Sequence, residues 1–303
     1  MKKEISCRNV LLAATFCAVL LAVSAQAQIQ WAKRIASTVN PDDELSIGLI
    51  LDSQANIFVT GWFDGTNDFG GVILTNNNDG GQDVFVAKYD STGALLWAQQ
   101  AGGSSGSENV GRGIGVDTNG NVYVTGGFYS PADFGSLNLP TSPYEEFFLA
   151  KYDSVGTVQW VQQSIGGYAV EGTGLAVDSA GNCYALAFAN NGATNTFGSM
   201  NLPTPSNSGE STFLVKYDNT GTVHWAQFMG GTSETYATKV AVDAAGNVYV
   251  RGTFFSTMTI GTSNLVVSGF NKEYVRRQIQ QLWGFDVGSA GSRWERGRGW
   301  SGG

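Results

Sequence analysis

The chain has 303 residues with 41 Gly and 6 Pro, 14% of them charged and 12% aromatic, against averages of roughly 7% Gly and 25% charged. A hydrophobic content of 42% excludes a disordered chain, and Gly without a three-residue period beside so few Pro excludes collagen. Residues 1–27 carry +2 and the segment from Lys272 onward +3, leaving −13 on the residues between, a balance that repels phosphate backbones and anionic lipid headgroups and argues against nucleic acid as a partner.

At the N-terminus a basic stretch around Lys2, Lys3 and Arg8 leads into an apolar run from Val10 to Val23 and then Ala25-Gln26-Ala27. This is the three-part form of a secretory signal. The run is short for a membrane span and the small residues flanking Gln26 fit a cleavage site, so a signal peptide over 1–27 and a mature start at Gln28 are expected. Cys17 lacks the small neighbours of a lipidated cysteine, and cleavage leaves Cys183 alone, with no internal disulfide. The expected location is secreted, periplasmic or cell surface, with no membrane insertion once the signal is removed.

Beyond the signal the sequence repeats. Trp31, Trp97, Trp160 and Trp225 are spaced 66, 63 and 65 residues apart, and Tyr89-Asp90, Tyr152-Asp153 and Tyr217-Asp218 are spaced 63 and 65 apart. Between them lie NIFVTG from Asn56, NVYVTG from Asn121, NCYALA from Asn182 and NVYVRG from Asn247, with DFG at Asp68 and Asp133 weakening to TFG at Thr196 and TIG at Thr259. A fixed register among independent landmarks defines a repeat architecture.

Each repeat reads as two hairpins in series. In the second copy Gly111–Asp117 and Asn121–Phe128 flank Thr118-Asn119-Gly120, and Phe147–Asp153 and Thr157–Gln163 flank Ser154-Val155-Gly156. Gly at the left-handed position and an Asp that accepts a backbone N–H make these hairpin turns. The residues between the hairpins, with DFG and the pair Leu137 and Leu139, are expected to form a small extra hairpin on the rim. Runs such as Val84-Phe85-Val86-Ala87 and Phe147-Phe148-Leu149-Ala150 are apolar on both faces, so the sheets must be covered on both sides. The expected fold class is all-β: a β-propeller of four-stranded antiparallel blades, about 64 residues per repeat.

DxxGNVYVTG followed by FVAKYDxxGxxxWA resembles the bacterial SBBP β-propeller repeats, which are NHL-like in style. The resemblance covers about residues 29–270 and implies an exported propeller. It brings no agreed activity and no catalytic motif. Two departures stand out: Asp52-Ser53-Gln54-Ala55-Asn56 lacks the turn Gly, and Cys183 and Ala185 replace a pair of Val.

The ends complete the expected organisation. Ile29-Gln30-Trp31-Ala32 has the pattern of a fourth strand without its first three, a closing strand for a ring, and residues 28–270 then hold that strand, three full blades and two strands of a fourth. From Lys272 the chain turns basic and leaves the register. In the next reading frame, codons allowed for Lys272–Gly291 are compatible with FVAKYNS, a Gly forced by the Trp283 codon, and LTWAQQA. The 271–303 tail is therefore read as aberrant through a frameshift near Lys272, with a native basic amphipathic extension as the alternative, and the ring in this chain as incomplete. Open ends of that kind expose apolar faces and unpaired edges, which drive association.

The chemistry is sparse. His224 is the single histidine and takes the place of Leu96 and Gln159, so it reads as a variable strand position. Cys183 fills the slot of Val122 and Val248 and reads as a small buried hydrophobe. The turns at Asp117, Asp178 and Asp243 resemble the start of a calcium loop but lack the bidentate Glu, which leaves hairpin chemistry as the expectation and calcium as the alternative. Glu145-Glu146 and Asp42-Asp43-Glu44 read as solvated surface, since neighbouring strand residues point to opposite faces. The repeated Trp residues read as blade-to-blade packing, with a sugar platform as the alternative. No catalytic, cofactor-binding or metal residue is expected. The function read from this pattern is a non-enzymatic binding or surface scaffold for a protein or glycan ligand. The alternative is a polysaccharide-active lyase or hydrolase on the same scaffold, which clustered ionisable residues in one blade would mark.

Overall fold

The computed structural model describes residues 36–37, 44–76, 81–103, 108–129, 131–140, 142–190, 194–203, 210–231, 234–255, 257–260, 263–266, 281–285 and 294–296; for 36–37, 44, 257 and from 263 onward it describes the backbone alone. The signal at 1–27, the start at Gln28, the Trp31 strand and most of the tail from Lys272 lie outside the described residues. All described residues belong to one compact unit, Arg34–Gly303.

After β1 (Ala36–Ser37), four repeats of six strands follow. The first holds β2 (Glu44–Leu51), β3 (Ile57–Phe63), β4 (Thr66–Asp68), β5 (Ile73–Thr75), β6 (Asp83–Tyr89) and β7 (Leu95–Ala101). The second holds β8 (Val110–Val116), β9 (Val122–Phe128), β10 (Ala132–Phe134), β11 (Leu137–Leu139), β12 (Glu146–Tyr152) and β13 (Val158–Ile165). The third holds β14 (Tyr168–Val177), β15 (Cys183–Asn190), β16 (Thr194–Phe197), β17 (Met200–Pro203), β18 (Ser211–Tyr217) and β19 (Val223–Gly230). The fourth holds β20 (Thr235–Val242), β21 (Val248–Phe254), β22 (Thr257–Ile260), β23 (Ser263–Val266), β24 (Gln281–Phe285) and β25 (Trp294–Arg296).

The longer hairpins pair into four antiparallel sheets, β2-β3-β6-β7, β8-β9-β12-β13, β14-β15-β18-β19 and β20-β21-β24-β25. Among the described residues they form a series and no closed ring. Strands β24 and β25 come from the basic tail and take the third and fourth places of the last sheet. An open edge such as that of β21 presents unpaired N–H and C=O groups that an extended segment can satisfy.

The small hairpin of the second, third and fourth repeats docks on the end of the preceding sheet, and that of the first pairs with β1. Ala36 pairs with Asp68, Gly102 bridges Asp133, Ile165 pairs with Thr196 and Gly230 pairs with Thr259. The position five residues beyond each Trp thus meets the first residue of the next repeat's DFG-like motif. The rim hairpin joins neighbouring sheets.

The apolar double-sided strands are explained by the stacking. Phe148 and Ala150 face Phe58, Val84 and Val86 of the first sheet, whereas Phe147 and Leu149 face Cys183, Phe213 and Val215 of the third. Tyr184, Leu186 and Leu214 pack in turn on Val248 and Val250. Glycines permit the close approach: a Cβ on Gly113 would lie 2.8 Å from Thr125 Cγ2 and 3.1 Å from the Gly174 carbonyl carbon.

Tryptophan and lysine add polar ties across the same interfaces. Lys88 and Trp97 are cross-strand partners, and Lys88 Nζ and Trp97 Nε1 both donate to the Ser154 carbonyl of the next sheet, at 3.3 and 3.1 Å. Lys151 and Trp160 repeat this on the Asn219 carbonyl at 2.9 and 3.1 Å. Trp97 and Trp160 are therefore packed between blades.

Candidate functional site

The two ends of the sheets differ in chemistry. At the hairpin-turn end, Asp117 Oδ1 accepts the Asn119 and Asn121 amides, each at 2.9 Å, while Oδ2 accepts Asn121 Nδ2 at 2.7 Å and Tyr123 OH at 3.2 Å. Asp178 and Asp243 repeat the clamp with Asn182 and Tyr184 and with Asn247 and Tyr249. The carboxylates of the calcium-like turns are engaged in closing hairpins, which is the chemistry the Asx turn requires.

His224 also belongs to this end. Its Nε2 lies 3.0 Å from Asp218 Oδ2, in the place where Gln159 Nε2 donates to Asp153 Oδ2 at 3.0 Å. Histidine and glutamine do the same work in sibling turns. Partial burial pushes the Asp218 carboxyl up, but the Thr220 hydroxyl, the Thr222 amide and His224 outweigh it and hold the group far below its ordinary range. Cys183 is fully buried and burial pushes its thiol well up, which disfavours the reactive thiolate.

At the opposite end, where the sheets connect, the second and third repeats build a depression of about 360 Å³. Tyr144 and Tyr168 stand over it with ring centroids 4.8 Å apart at 62°, 41% and 53% exposed, beside Ile165 at 60%. Glu146 and Gln163 line it from below. The backbone is unusual here: Gly166 and Gly167 have φ of 83° and 100° and Ala169 has φ of 47°, with a register shift between Tyr168 and Val170. Left-handed Ala is strained, and the bulge turns Tyr168 outward. A Cβ on Gly167 would lie 2.2 Å from Asn195 Oδ1, so the β13–β14 connection needs glycine there.

Glu146 corrects the expectation of a solvated acidic pair. It is 3% exposed because two serines supply its hydrogen bonds: Ser164 Oγ donates to Oε2 and Ser142 Oγ to Oε1. Burial raises its pKa, with both serines pulling it back. Glu145 points elsewhere, as strand alternation demands, toward Glu171 and Arg112. Burial, and then the Glu171 charge, push Glu145 up to about 7, against the pull of Arg112; Arg112 itself pairs with Glu171 at 2.6 Å. Asp83, the counterpart of Glu146 in the first sheet, is also pushed up to about 7 by burial, with Asn109 opposing and Asp64 reinforcing the rise.

The depression breaks the repeat. Counted back from the Tyr-Asp pair, Tyr144 stands where sibling repeats have Gly81 and Gly209; counted back from the hairpin Asp, Tyr168 stands where they have Ser107 and Ser233. Sequence reasoning missed both tyrosines. The signal that could have found them is this departure from the repeat pattern within linkers.

Stacked four-stranded antiparallel sheets on a 64-residue repeat, tied by Trp, Lys and rim hairpins, define a β-propeller repeat protein. The β-propeller repeat family model, SBBP, matches residues 96–126, a stretch that runs from β7 into the first hairpin of the next sheet. An uncharacterized WD repeat-containing protein of Acanthamoeba polyphaga mimivirus is 24% identical over 198 residues, covering 56% of this chain and 14% of the viral protein. The match thus spans a small part of that relative's length.

Proposed function

We propose that the chain is an exported, non-enzymatic β-propeller repeat protein that acts as a binding or cell-surface scaffold, with the depression under Tyr144 and Tyr168 as its ligand site. The single observation that carries this reading is the break in repeat symmetry there. Two tyrosines exposed by 41% and 53% stand where the aligned positions of sibling repeats have Gly and Ser, and exposed aromatics with a few convergent polar groups are the usual make-up of a recognition site. The carboxylate in its lining supports binding over catalysis, since Glu146 is engaged by Ser142 and Ser164.

The test has two parts. Secreted material should begin at Gln28 on N-terminal sequencing. Immobilised wild-type and Tyr144→Ala/Tyr168→Ala chains are then incubated with glycan and peptide arrays, and retention that the double variant loses is expected. Release of reducing ends from polysaccharide by the wild-type chain would instead establish the enzymatic alternative.

A further inference from the structure

We infer that the depression under Tyr144 and Tyr168 takes a neutral pyranose unit of a glycan; this rests on the binding reading above and adds the class of ligand. Three features converge. The rings of Tyr144 and Tyr168 stand edge to face and form an apolar corner against which the C–H face of a sugar ring packs. Gln163 Oε1, in the lining, lies buried with no hydrogen-bond partner, and leaving a buried acceptor unpaired is costly. A sugar hydroxyl is a donor that satisfies it.

Charge selects among donors. Among the described residues the lining carries no Lys or Arg, and its one carboxylate, Glu146, already accepts from two serines. Phosphate, sulfate and uronic acids find no cation, and an ammonium group finds no free carboxylate. A volume of about 360 Å³ sits at the small end of ligand pockets, roughly 300–1,000 Å³, and so holds one ring of a longer chain. Gly166 and Gly167 carry no side chain that would block the extension of that chain over their part of the rim.

The experiment uses the full secreted protein and neutral hexasaccharides of glucose (β-1,4 and β-1,3), xylose and mannose, titrated by calorimetry. At least one is expected to bind, with weakening of tenfold or more in Tyr168→Ala and in Gln163→Leu, near-wild-type affinity in Tyr168→Phe, and an unchanged melting temperature in the Tyr variants because both rings are exposed. Binding that Tyr168→Ala and Gln163→Leu leave intact overturns the inference. So does the absence of binding to all four sugars. The two levels separate through an arm with a random heptapeptide library: Tyr144- and Tyr168-dependent peptide capture without sugar binding keeps the binding site and discards the sugar, whereas neither sugar nor peptide binding discards both.

Discussion

Ala55 holds the left-handed position of its hairpin with φ of 61°, where Gly120, Gly181 and Gly246 have 77°, 80° and 85°. The Asp52–Asn56 clamp is nonetheless formed, Asn56 Nδ2 donating to Asp52 Oδ2 at 2.7 Å, so the turn is kept at the expense of Cβ strain worth about 1 kcal/mol. Ala55→Gly is therefore expected to stabilise the chain by about 0.5–1 kcal/mol, read as a rise in melting temperature. Titration offers a second test. Glu145 and Asp83 sit at about 7 in the folded chain, above ordinary unfolded values near 4. The folded state binds their protons more tightly, so the stability they contribute is complete below about pH 4 and is lost as pH rises through 7. Melting temperature is expected to rise on acidification from pH 8 to pH 5.5, and Glu145→Gln to flatten part of that slope, about 1–2 kcal/mol. A slope of the opposite sign over that window contradicts the assignment.

Among the elements, the Trp strands connect sheet to sheet. Trp160→Phe removes the N–H that reaches the Asn219 carbonyl and part of the ring that lies over Gly221, whose Cβ would be 3.0 Å from Trp160 Cδ2. Lys151 still serves that carbonyl, so the cost is expected near 1–2 kcal/mol by urea denaturation. Adding Lys151→Met is expected to cost more than the sum of the single changes, because the carbonyl then loses both donors. These strands and their hairpins were legible in the sequence because Asp, Gly and Trp recur at fixed offsets and the apolar runs show that both faces are covered. The seat of the rim hairpin was not, since its pairing joins Ile165 to Thr196 with an entire hairpin between. Nor was the burial of Glu146 legible, which depends on Ser142 arriving from the β11–β12 connection and Ser164 from β13. Tyr144 and Tyr168 escaped because period-based reading attends to what repeats, and they are what does not.

For the whole molecule, the two terminal sheets present unlike faces. On the first, Leu45, Leu49 and Leu51 are exposed by 50%, 63% and 54%, whereas the counterparts of Leu49, namely Ile114, Leu175 and Val240, and those of Leu51, namely Val116, Val177 and Val242, pack on a preceding sheet. On the fourth, Lys239 pairs with Arg251 across the strands, in the place of Gly48 with Thr60, Gly113 with Thr125 and Gly174 with Leu186. Two cations directly opposite one another repel, and both are exposed. The apolar face is the one that drives contact, and the purified chain is expected to self-associate through it. Leu49→Lys/Leu51→Lys should shift the species seen by size-exclusion chromatography with light scattering toward monomer. An unchanged mass distribution removes the first sheet as the cause.

The rim hairpins carry a consequence for how such a chain changes length over generations. Every repeat begins its own sheet yet fastens to the chain before it, always with the residue five beyond a Trp meeting the head of the next DFG-like motif. A tandem duplication or deletion of one unit in phase therefore recreates the same junction on each side of the cut, with no new type of contact to be invented. Gene copies differing by whole repeats are thus structurally interchangeable at their seams, while a cut out of phase separates a hairpin from the strand that receives it.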